Sequence, residues 1–247
     1  MRSGARVKVA SRPFVADADA AVGMLRRMGS TRGRDGMARY GIPSENAFGV
    51  SIGALQKLGK QLGRNHELAE ALWKTGWYEA RMLAAFVDEP QQVTPAQMDR
   101  WCRDFDNWAV TDHACFHLFD RTPHALVRVK RWATRRREFE KRAAFALLAS
   151  VALHDQVTSD EALARCLPLV ERAATDGRNF VKKGVSWALR SMGHRSAALH
   201  AASVALARRL AASDDPAARW VGKDALRDLE RPAVIRRVAA KQRARRG

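Results

Sequence analysis

Apolar positions along the chain recur mostly with the spacing of amphipathic helices. Between residues 16 and 28, for example, Val22, Leu25 and Met28 fall on one helical face. Segments of about three turns follow one another, with short breaks between them. No block of alternating strand residues and no regular exchange of strands and helices interrupts the series. The pattern therefore predicts an all-α chain.

The predicted helices are joined by short links that carry helix start and stop signals. Thr94 has the features of an N-cap, since Pro95 follows in the first turn and Gln97 stands three residues on. Gly63 is expected to end a helix, and Ser159 or Asp160 to begin another. The main predicted helices are 16–28, 50–62, 67–74, 77–87, 99–105, 108–118, 123–133, 139–154, 180–192, 197–210 and 216–229.

Consecutive short helices of this kind fit an α-solenoid, although a compact helical bundle fits the same pattern. The stretch 29–36, rich in Gly, Ser and Arg, is predicted to separate two helices, and 139–154 to be the central core helix. We expect a basic, disordered arm at 1–14, a helical-repeat domain at 15–231 and a basic tail at 232–247, disordered over 236–246. Glu79 and Arg81 have the character of repeat scaffolding.

Charge is the first indication of a partner. The chain carries 44 Lys plus Arg against 26 Asp plus Glu, a formal net charge of +18. Such a charge favours a polyanionic partner, and nucleic acid fits best. An acidic membrane surface is a rival, but no amphipathic helix with one basic edge stands out. Replacement of Lys by Arg in a GC-rich genome would also produce a basic composition.

Cysteine content and hydropathy indicate the compartment. The three cysteines, Cys102, Cys115 and Cys166, form no even disulfide framework, which favours a reducing cytoplasm. The N-terminus lacks the apolar run of a signal peptide, and no apolar stretch approaches the ~20 residues that span a bilayer. We expect a soluble bacterial cytoplasmic protein, associated with the nucleoid when bound to DNA, with no membrane partner.

Two predicted helices carry side chains suited to chemistry rather than to a core. Trp108 and Asp112 are spaced i and i+4, so an indole and a carboxylate project from one face. Lys183, Trp187 and Arg190 are spaced i, i+4 and i+7 and again share a face. Such a face is a poor core seam, but it suits a phosphate backbone with an aromatic contact beside it.

Between these helices, Lys141 and Arg142 open a strongly apolar run. An arginine on an otherwise buried helix invites a phosphate or carboxylate partner. Glu138, four residues before Arg142, offers a local partner of that kind. The sequence by itself leaves the partner of Arg142 open.

Four short motifs together resemble a known family. They are 37–40 (Met-Ala-Arg-Tyr), Trp108 with Asp112, 141–144 (Lys-Arg-Ala-Ala) and 180–190 with Trp187. In this order and at similar separations they resemble the AlkD-type DNA alkylation repair glycosylases, over about residues 37 to 190. Asn107 is a departure, because an aromatic neighbour of the tryptophan is expected there.

The resemblance implies a right-handed α-solenoid of HEAT-like antiparallel helical repeats, with a basic concave face that embraces duplex DNA. It also implies a monofunctional glycosylase that hydrolyses the N-glycosidic bond of cationic N3- or N7-alkylated purines without a deep base-flipping pocket. The expected partner is double-stranded DNA containing alkylated bases. We expect a monomer without cofactor or metal.

The resemblance also implies roles for particular residues. Asp112 would lie near the deoxyribose of the lesion, with Trp108 and Trp187 as the other catalytic residues lining the same pocket. The expected DNA contacts are Tyr40, Lys141, Arg142, Lys183 and Arg190, with Arg142 and Arg190 gripping phosphates.

The chemistry suits these residue types. An alkylated purine is already a cationic leaving group, so what remains is to stabilise the sugar as it gains oxocarbenium character. An ionised Asp112 does this and orients water. Indole faces attract cations by ~0.5–2 kcal/mol each.

Other interpretations stay open at this stage. The chain could be a non-enzymatic HEAT-like module that binds nucleic acid or protein, or a scaffold in which Trp108 is core and Asp112 forms a surface pair. His113, Cys115, His117 and Cys102 invite a metal site, but Cys115 points away from the face that the two histidines share. We therefore expect no metal there.

Overall fold

The computed structural model describes residues 17–244, and all regular secondary structure within them is helical. The predicted all-α class is therefore confirmed, whereas the predicted arm at 1–14 lies outside the described residues. The helices are α1 (Ala18–Met28), α2 (Thr31–Met37), α3 (Ile52–Leu62), α4 (His66–Lys74), α5 (Tyr78–Val87), α6 (Pro95–Arg103), α7 (Trp108–His117), α8 (Ala125–Trp132), α9 (Glu138–His154), α10 (Asp160–Ala164), α11 (Leu167–Ala173), α12 (Asn179–Gly193), α13 (Ala197–Ala211), α14 (Pro216–Leu229) and α15 (Pro232–Ala244).

Helix ends follow the caps that the sequence carries. The Thr94 hydroxyl accepts a hydrogen bond from the Gln97 N–H at 3.2 Å, and Pro95 occupies the first turn of α6. Ser159, rather than Asp160, caps α10 through the Ala162 N–H. Gly63 ends α3 with φ +74°, a conformation that glycine adopts without strain. These signals are local, which is why the sequence predicted them correctly.

The segment 29–36 differs from its prediction, because most of it forms α2. Ser30 caps this helix by accepting from the Gly33 N–H at 3.1 Å. A Cβ atom on Gly33 would lie 2.3 Å from the Gly49 carbonyl oxygen, and Gly49 itself has φ +82°. The two glycines therefore let α2 pack backbone to backbone against the segment before α3. Glycines that suggested a break in fact serve close packing.

The C-terminal segment also differs. The disordered arm predicted for 236–246 is wrong over residues 236–244, which belong to α15. This helix packs against α13 and α14 and buries Val234 and Val238. The two valines are spaced i and i+4, so an apolar edge exists within the basic segment. The surface against which this apolar edge packs, on α13 and α14, exists only in the folded chain.

The helices form two layers. In one layer, which we call the central row, α3, α5, α7, α9, α12 and α14 each pack against the next. In the other layer α4, α8, α11 and α13 pack against their neighbours α5, α9, α12 and α14. Four repeating units are thus pairs of helices with one member in each layer, namely α4 with α5, α8 with α9, α11 with α12 and α13 with α14.

Helix α9 lies at the centre of the array, as the sequence predicted. It contacts α7 and α12 within the central row and α8 in the other layer, and residues 143–152 are buried. Trp101 and Trp132 are also fully buried, and their indole N–H groups donate to Glu70 and Asp99. Both indole N–H groups thus have acceptors, and the two tryptophans belong to the core.

No helix of the described chain combines the length and the apolarity that a membrane span requires.

Glu79 and Arg81 hold neighbouring segments in place, in agreement with the expected scaffolding role. The Glu79 carboxylate has no exposed surface and accepts from the backbone N–H groups of Phe48, Gly49 and Val50 at 2.9, 2.7 and 3.1 Å. Arg81 donates to the Asp104 carbonyl at 3.2 Å. A buried carboxylate with three donors fixes the segment between α2 and α3.

Candidate active site and nucleic-acid interface

One edge of α7 presents the first group of candidate residues. Asn107 begins this helix, because its side chain accepts from the Val110 N–H at 3.0 Å. The residue that departs from the family pattern is therefore the N-cap of α7. From that start Trp108, Asp112 and Phe116 follow at i, i+4 and i+8, so an indole, a carboxylate and a phenyl ring share one edge.

The Asp112 carboxylate is held from the next helix of the central row. Arg142 of α9 donates from Nε to Oδ1 at 2.8 Å and from Nη2 to Oδ2 at 2.6 Å. Its Nη1 donates to the Phe180 carbonyl at 2.6 Å. The Arg142 side chain is 8% exposed and that of Asp112 is 19% exposed. This two-point contact fixes the plane of a carboxylate that stays accessible.

Two opposing effects set the charge of Asp112. Burial raises the pKa of its carboxyl above the usual value, while the Arg142 guanidinium, through its charge and hydrogen bonds, acts to lower it. Two donors on two oxygens favour the ionised form. A carboxylate offers about four acceptor positions, so the bidentate contact leaves about two of them free.

The turn at Tyr40 brings α12 and the start of α7 together. Trp108 donates from Nε1 to the Tyr40 carbonyl at 2.8 Å, and the Tyr40 side chain is exposed. Gly41 has φ +66°, and a Cβ atom there would lie 3.4 Å from the Cζ of Phe180. Tyr40 therefore lies beside Trp108, within a turn that touches α12.

Trp187 lies farther along the same surface. Its ring stacks on Phe116 with centroids 6.4 Å apart and planes at 26°. Because Phe116 is one turn beyond Asp112 on α7, Trp187 adjoins the edge that carries the carboxylate. Trp108 and Trp187 are both half-buried, and they pack against different hydrophobic clusters. Neither is enclosed in the way that Trp101 is.

The predicted cationic contacts differ in availability. Lys141 is paired with Asp176 at 2.9 Å, and Arg190 lies 3.9 Å from Asp224. Lys183 is exposed and has no hydrogen bond or ion pair within the part of the chain that the structure describes.

Arg142 is committed to Asp112 and to the Phe180 carbonyl, which leaves little of it for a phosphate. Glu138, the local alternative, does not take Arg142 and instead accepts from the Phe180 N–H at 3.2 Å.

The structure thus brings Tyr40, Trp108, Asp112 and Arg142 into one chain of contacts and sets Trp187 beside them. Lys141, Lys183 and Arg190 lie on α9 and α12 without a hydrogen bond or ion pair to Asp112. Sequence reasoning missed two contributors. Phe116 could have been found from its i+4 spacing to Asp112, whereas the role of the Phe180 carbonyl depends on the packing of α12 against α9.

A cavity of about 580 Å³ opens beside Tyr40, between α2 and the start of α3. Arg32 and Arg39 line it and are exposed. The cavity therefore adds positive charge next to the Tyr40 turn.

Two of the four residues considered for a metal, His113 and Cys115, have hydrogen-bond partners within the protein. His113 is buried, its Nε2 lies 2.9 Å from the Met82 carbonyl oxygen, and burial lowers its pKa to about 3. The Cys115 thiol donates to the Ala143 carbonyl, and Cys102 and Cys166 are free and buried. Residues 17–244 contain no group of three His, Cys, Asp or Glu side chains that could hold a metal ion.

Two layers of paired helices, with a fixed carboxylate and two indoles on the central row, define a HEAT-like helical-repeat protein. A solved structure described as a new family of proteins related to the HEAT-like repeat DNA glycosylases, with affinity for branched DNA structures, has this fold. It superposes with a TM-score of 0.71 at 20% identity, over 86% of this chain and 95% of that one.

The chain belongs to the DNA alkylation repair enzyme family, whose sequence pattern matches residues 23–229. No curated protein matches the chain. The resemblance found in the sequence and the solenoid it implied are therefore confirmed.

Proposed function

We propose that this protein binds duplex DNA along its central row and hydrolyses the N-glycosidic bond of cationic N3- or N7-alkylated purines. One observation carries the proposal. The accessible Asp112 carboxylate is fixed by Arg142 on an edge that also carries Trp108 and Phe116, and Trp187 stacks on Phe116. Membership of a family of DNA alkylation repair enzymes supports it.

The proposed step needs little from the protein because the alkylated purine is a good leaving group. The bond between C1′ and the purine nitrogen breaks, and its electron pair neutralises the purine. The sugar becomes an oxocarbenium ion, which the negative charge of Asp112 stabilises. Water oriented by Asp112 then adds to C1′ and releases a proton. Trp108 and Trp187 offer indole faces to the cationic base.

In this proposal Arg142 is a positioning residue. It holds Asp112 in one orientation and opposes the effect of burial on its protonation. It therefore acts on the reaction through Asp112 rather than through a phosphate.

We further propose that Tyr40, Lys141, Lys183 and Arg190 contact DNA around this carboxylate. Tyr40 and Lys183 are exposed in the free protein. Lys141 and Arg190 would exchange Asp176 and Asp224 for DNA phosphates, each of which carries one negative charge. Arg32 and Arg39 at the neighbouring cavity extend the same positive surface.

A second function, DNA binding without hydrolysis, has its own support. Both Asp112 oxygens already accept from Arg142, which restricts what else the carboxylate can do. The structural neighbour belongs to proteins described by their affinity for branched DNA structures. The same surface could hold a branched DNA here.

Base release decides between the two functions. Purified protein is incubated with methylated duplex DNA, and free 7-methylguanine and 3-methyladenine are measured by chromatography. We expect release by the natural protein and a loss of roughly 100-fold or more in Asp112→Asn, because its amide carries no charge to stabilise the sugar cation. Duplex affinity should be retained.

Asp19→Asn on α1 is the matched control, since Asp19 is exposed and distant in sequence from the site. Undiminished release by Asp112→Asn would reject the catalytic role of this residue. No release by the natural protein, together with tight binding of a branched probe, would establish the second function instead.

A further inference from the structure

A continuous strip of aromatic rings crosses the central row beside Asp112. Phe116 lies at its centre, with ring centroids 5.1 Å from His117, 4.2 Å from His154 and 6.4 Å from Trp187. Phe86 extends the strip, 4.8 Å from His117. These five rings, which we call the aromatic strip, come from α5, α7, α9 and α12.

The aromatic strip is not part of the closed core. Phe86, Phe116, His117 and Trp187 are half-buried, and His154 is exposed. Fully buried aromatic side chains already fill the interior, namely Trp101, Phe119, Trp132 and Phe145. The strip therefore presents ring surface to solvent on the same side as Asp112, since Phe116 and Asp112 share an edge of α7.

The two histidines of the strip differ in their surroundings. The Nδ1 atom of His154 lies 2.5 Å from Oδ2 of Asp120, a buried carboxylate. Burial, assisted by the charge of Arg121, lowers the pKa of His117 to about 4. His117 is therefore neutral at physiological pH and presents an uncharged flat ring.

Cations flank the strip. Arg121 is exposed and donates from Nη1 to the His117 carbonyl at 2.7 Å. Arg190 follows Trp187 by three residues on α12, and so lies on the same face. Partly exposed rings flanked by arginines, in a chain of net charge +18, suit a ligand with flat bases and negative phosphates.

We propose that the aromatic strip binds unpaired bases of DNA by stacking. Paired bases inside a duplex have both faces covered, so they gain nothing from such a surface, whereas a base outside the stack gains a contact on its free face. The proposal rests on the DNA binding of the proposed function, but not on hydrolysis. It adds a preference for unpaired nucleotides next to the glycosidic site.

The test compares two unmethylated probes that differ only in a short bulge of unpaired bases in one strand. The natural protein is expected to bind the bulged probe more tightly. Phe116→Leu keeps an apolar side chain but removes the central ring, so the ratio of the two affinities should fall roughly five- to tenfold. Phe86→Leu is a second variant, expected to lower the ratio in the same direction if Phe116→Leu proves unstable.

Phe48→Leu is the matched control. Phe48 is half-buried and stacks on Trp77 at 4.3 Å, outside the strip, so this variant should keep the natural ratio. A 2-aminopurine in the bulge gives a direct signal of stacking. Its fluorescence should be quenched by the natural protein and by Phe48→Leu, and should recover with Phe116→Leu.

Equal affinity of the natural protein for both probes would overturn the proposal, as would equal ratios in the Phe116 and Phe48 variants. Release of methylated bases is measured on the same preparations. A protein that prefers the bulged probe but releases no base would overturn the proposed hydrolysis and leave the aromatic strip supported. A protein that releases methylated bases but does not prefer the bulged probe would support the proposed hydrolysis and overturn the proposal for the aromatic strip.

Discussion

At the scale of single residues, the decisive contact is the pair of hydrogen bonds between Arg142 and Asp112. The largely buried Arg142 guanidinium needs an anion beside it, and a cation helps to keep the partly buried Asp112 carboxylate ionised. A buried ion pair adds little net stability, but loss of one partner leaves an uncompensated charge. The proposed role of Asp112 would therefore account for the presence of the pair better than a contribution to stability would.

Removal of Arg142 should make stability depend on pH in a defined direction. In Arg142→Ala, burial still raises the pKa of Asp112 and the opposing guanidinium is gone. A carboxyl with a raised pKa binds more protons in the folded than in the unfolded state, so stability falls as pH rises through that interval. We expect a loss of about 3 kcal/mol at neutral pH, and this loss should become smaller as the pH falls towards about 4.

Denaturant unfolding at neutral and acidic pH measures this difference. The double variant Arg142→Ala with Asp112→Asn is the control, because it removes the charge and should recover part of the loss at neutral pH. A loss independent of pH, with no recovery in the double variant, would mean that Arg142 stabilises the protein by packing alone.

At the scale of elements, short local signals place each helix, and neighbouring helices decide what it exposes. The Asn107 cap fixes where α7 begins and thereby which residues share its edge. Helix α15 shows the other case, since its basic sequence hides an apolar edge that α13 and α14 cover. The residues of a helix are thus enough to predict that helix, but not the helices against which it packs.

Truncation tests whether α15 is an integral part of the array. A protein that ends at residue 231 should lose about 3 kcal/mol of unfolding free energy, because the core surface under Val234 and Val238 becomes exposed. A protein that ends at residue 244 keeps the whole helix and should match the natural chain. Chemical denaturation of the three proteins measures the effect. Equal midpoints would show that α15 contributes nothing to the fold.

At the scale of the whole molecule, the central row brings together the proposed functional side chains from helices far apart in the sequence. Asp112, Arg142 and Trp187 belong to three successive helices of the row. The net charge of +18 attracts a polyanion at long range. The side chains of the central row would then set the position of the bound DNA. DNA affinity should therefore depend steeply on salt.

Variants that each remove one cationic side chain should show which of these side chains contact DNA phosphates. For Lys183→Ala and for Arg190→Ala, the slope of log affinity against log salt should fall by about 0.9 for each phosphate that the side chain neutralises. Arg172→Ala is the control, because Arg172 is an exposed cation on α11, outside the central row. Titrations of one duplex at several salt concentrations measure the slopes. Equal slopes for all three variants would place the DNA elsewhere.

The sequence by itself determined most of the helices, the helix start at Thr94, the helix end at Gly63 and the spacing of Trp108, Asp112 and Phe116. These features depend on contacts within a few residues, and the pitch of the helix fixes which side chains share a face. The order of the four motifs also sufficed to indicate the family, because it does not require knowledge of any contact.

Only the tertiary structure decided which partners these side chains have. Arg142 had Glu138 within one helical turn, yet it bonds Asp112, thirty residues away, while Glu138 receives the Phe180 N–H. Likewise, the contacts of the α2 glycines and of the rings in the aromatic strip are made with segments distant in the chain. Such choices depend on how closely neighbouring helices approach, and that distance is set by the packing of the whole core rather than by any local spacing.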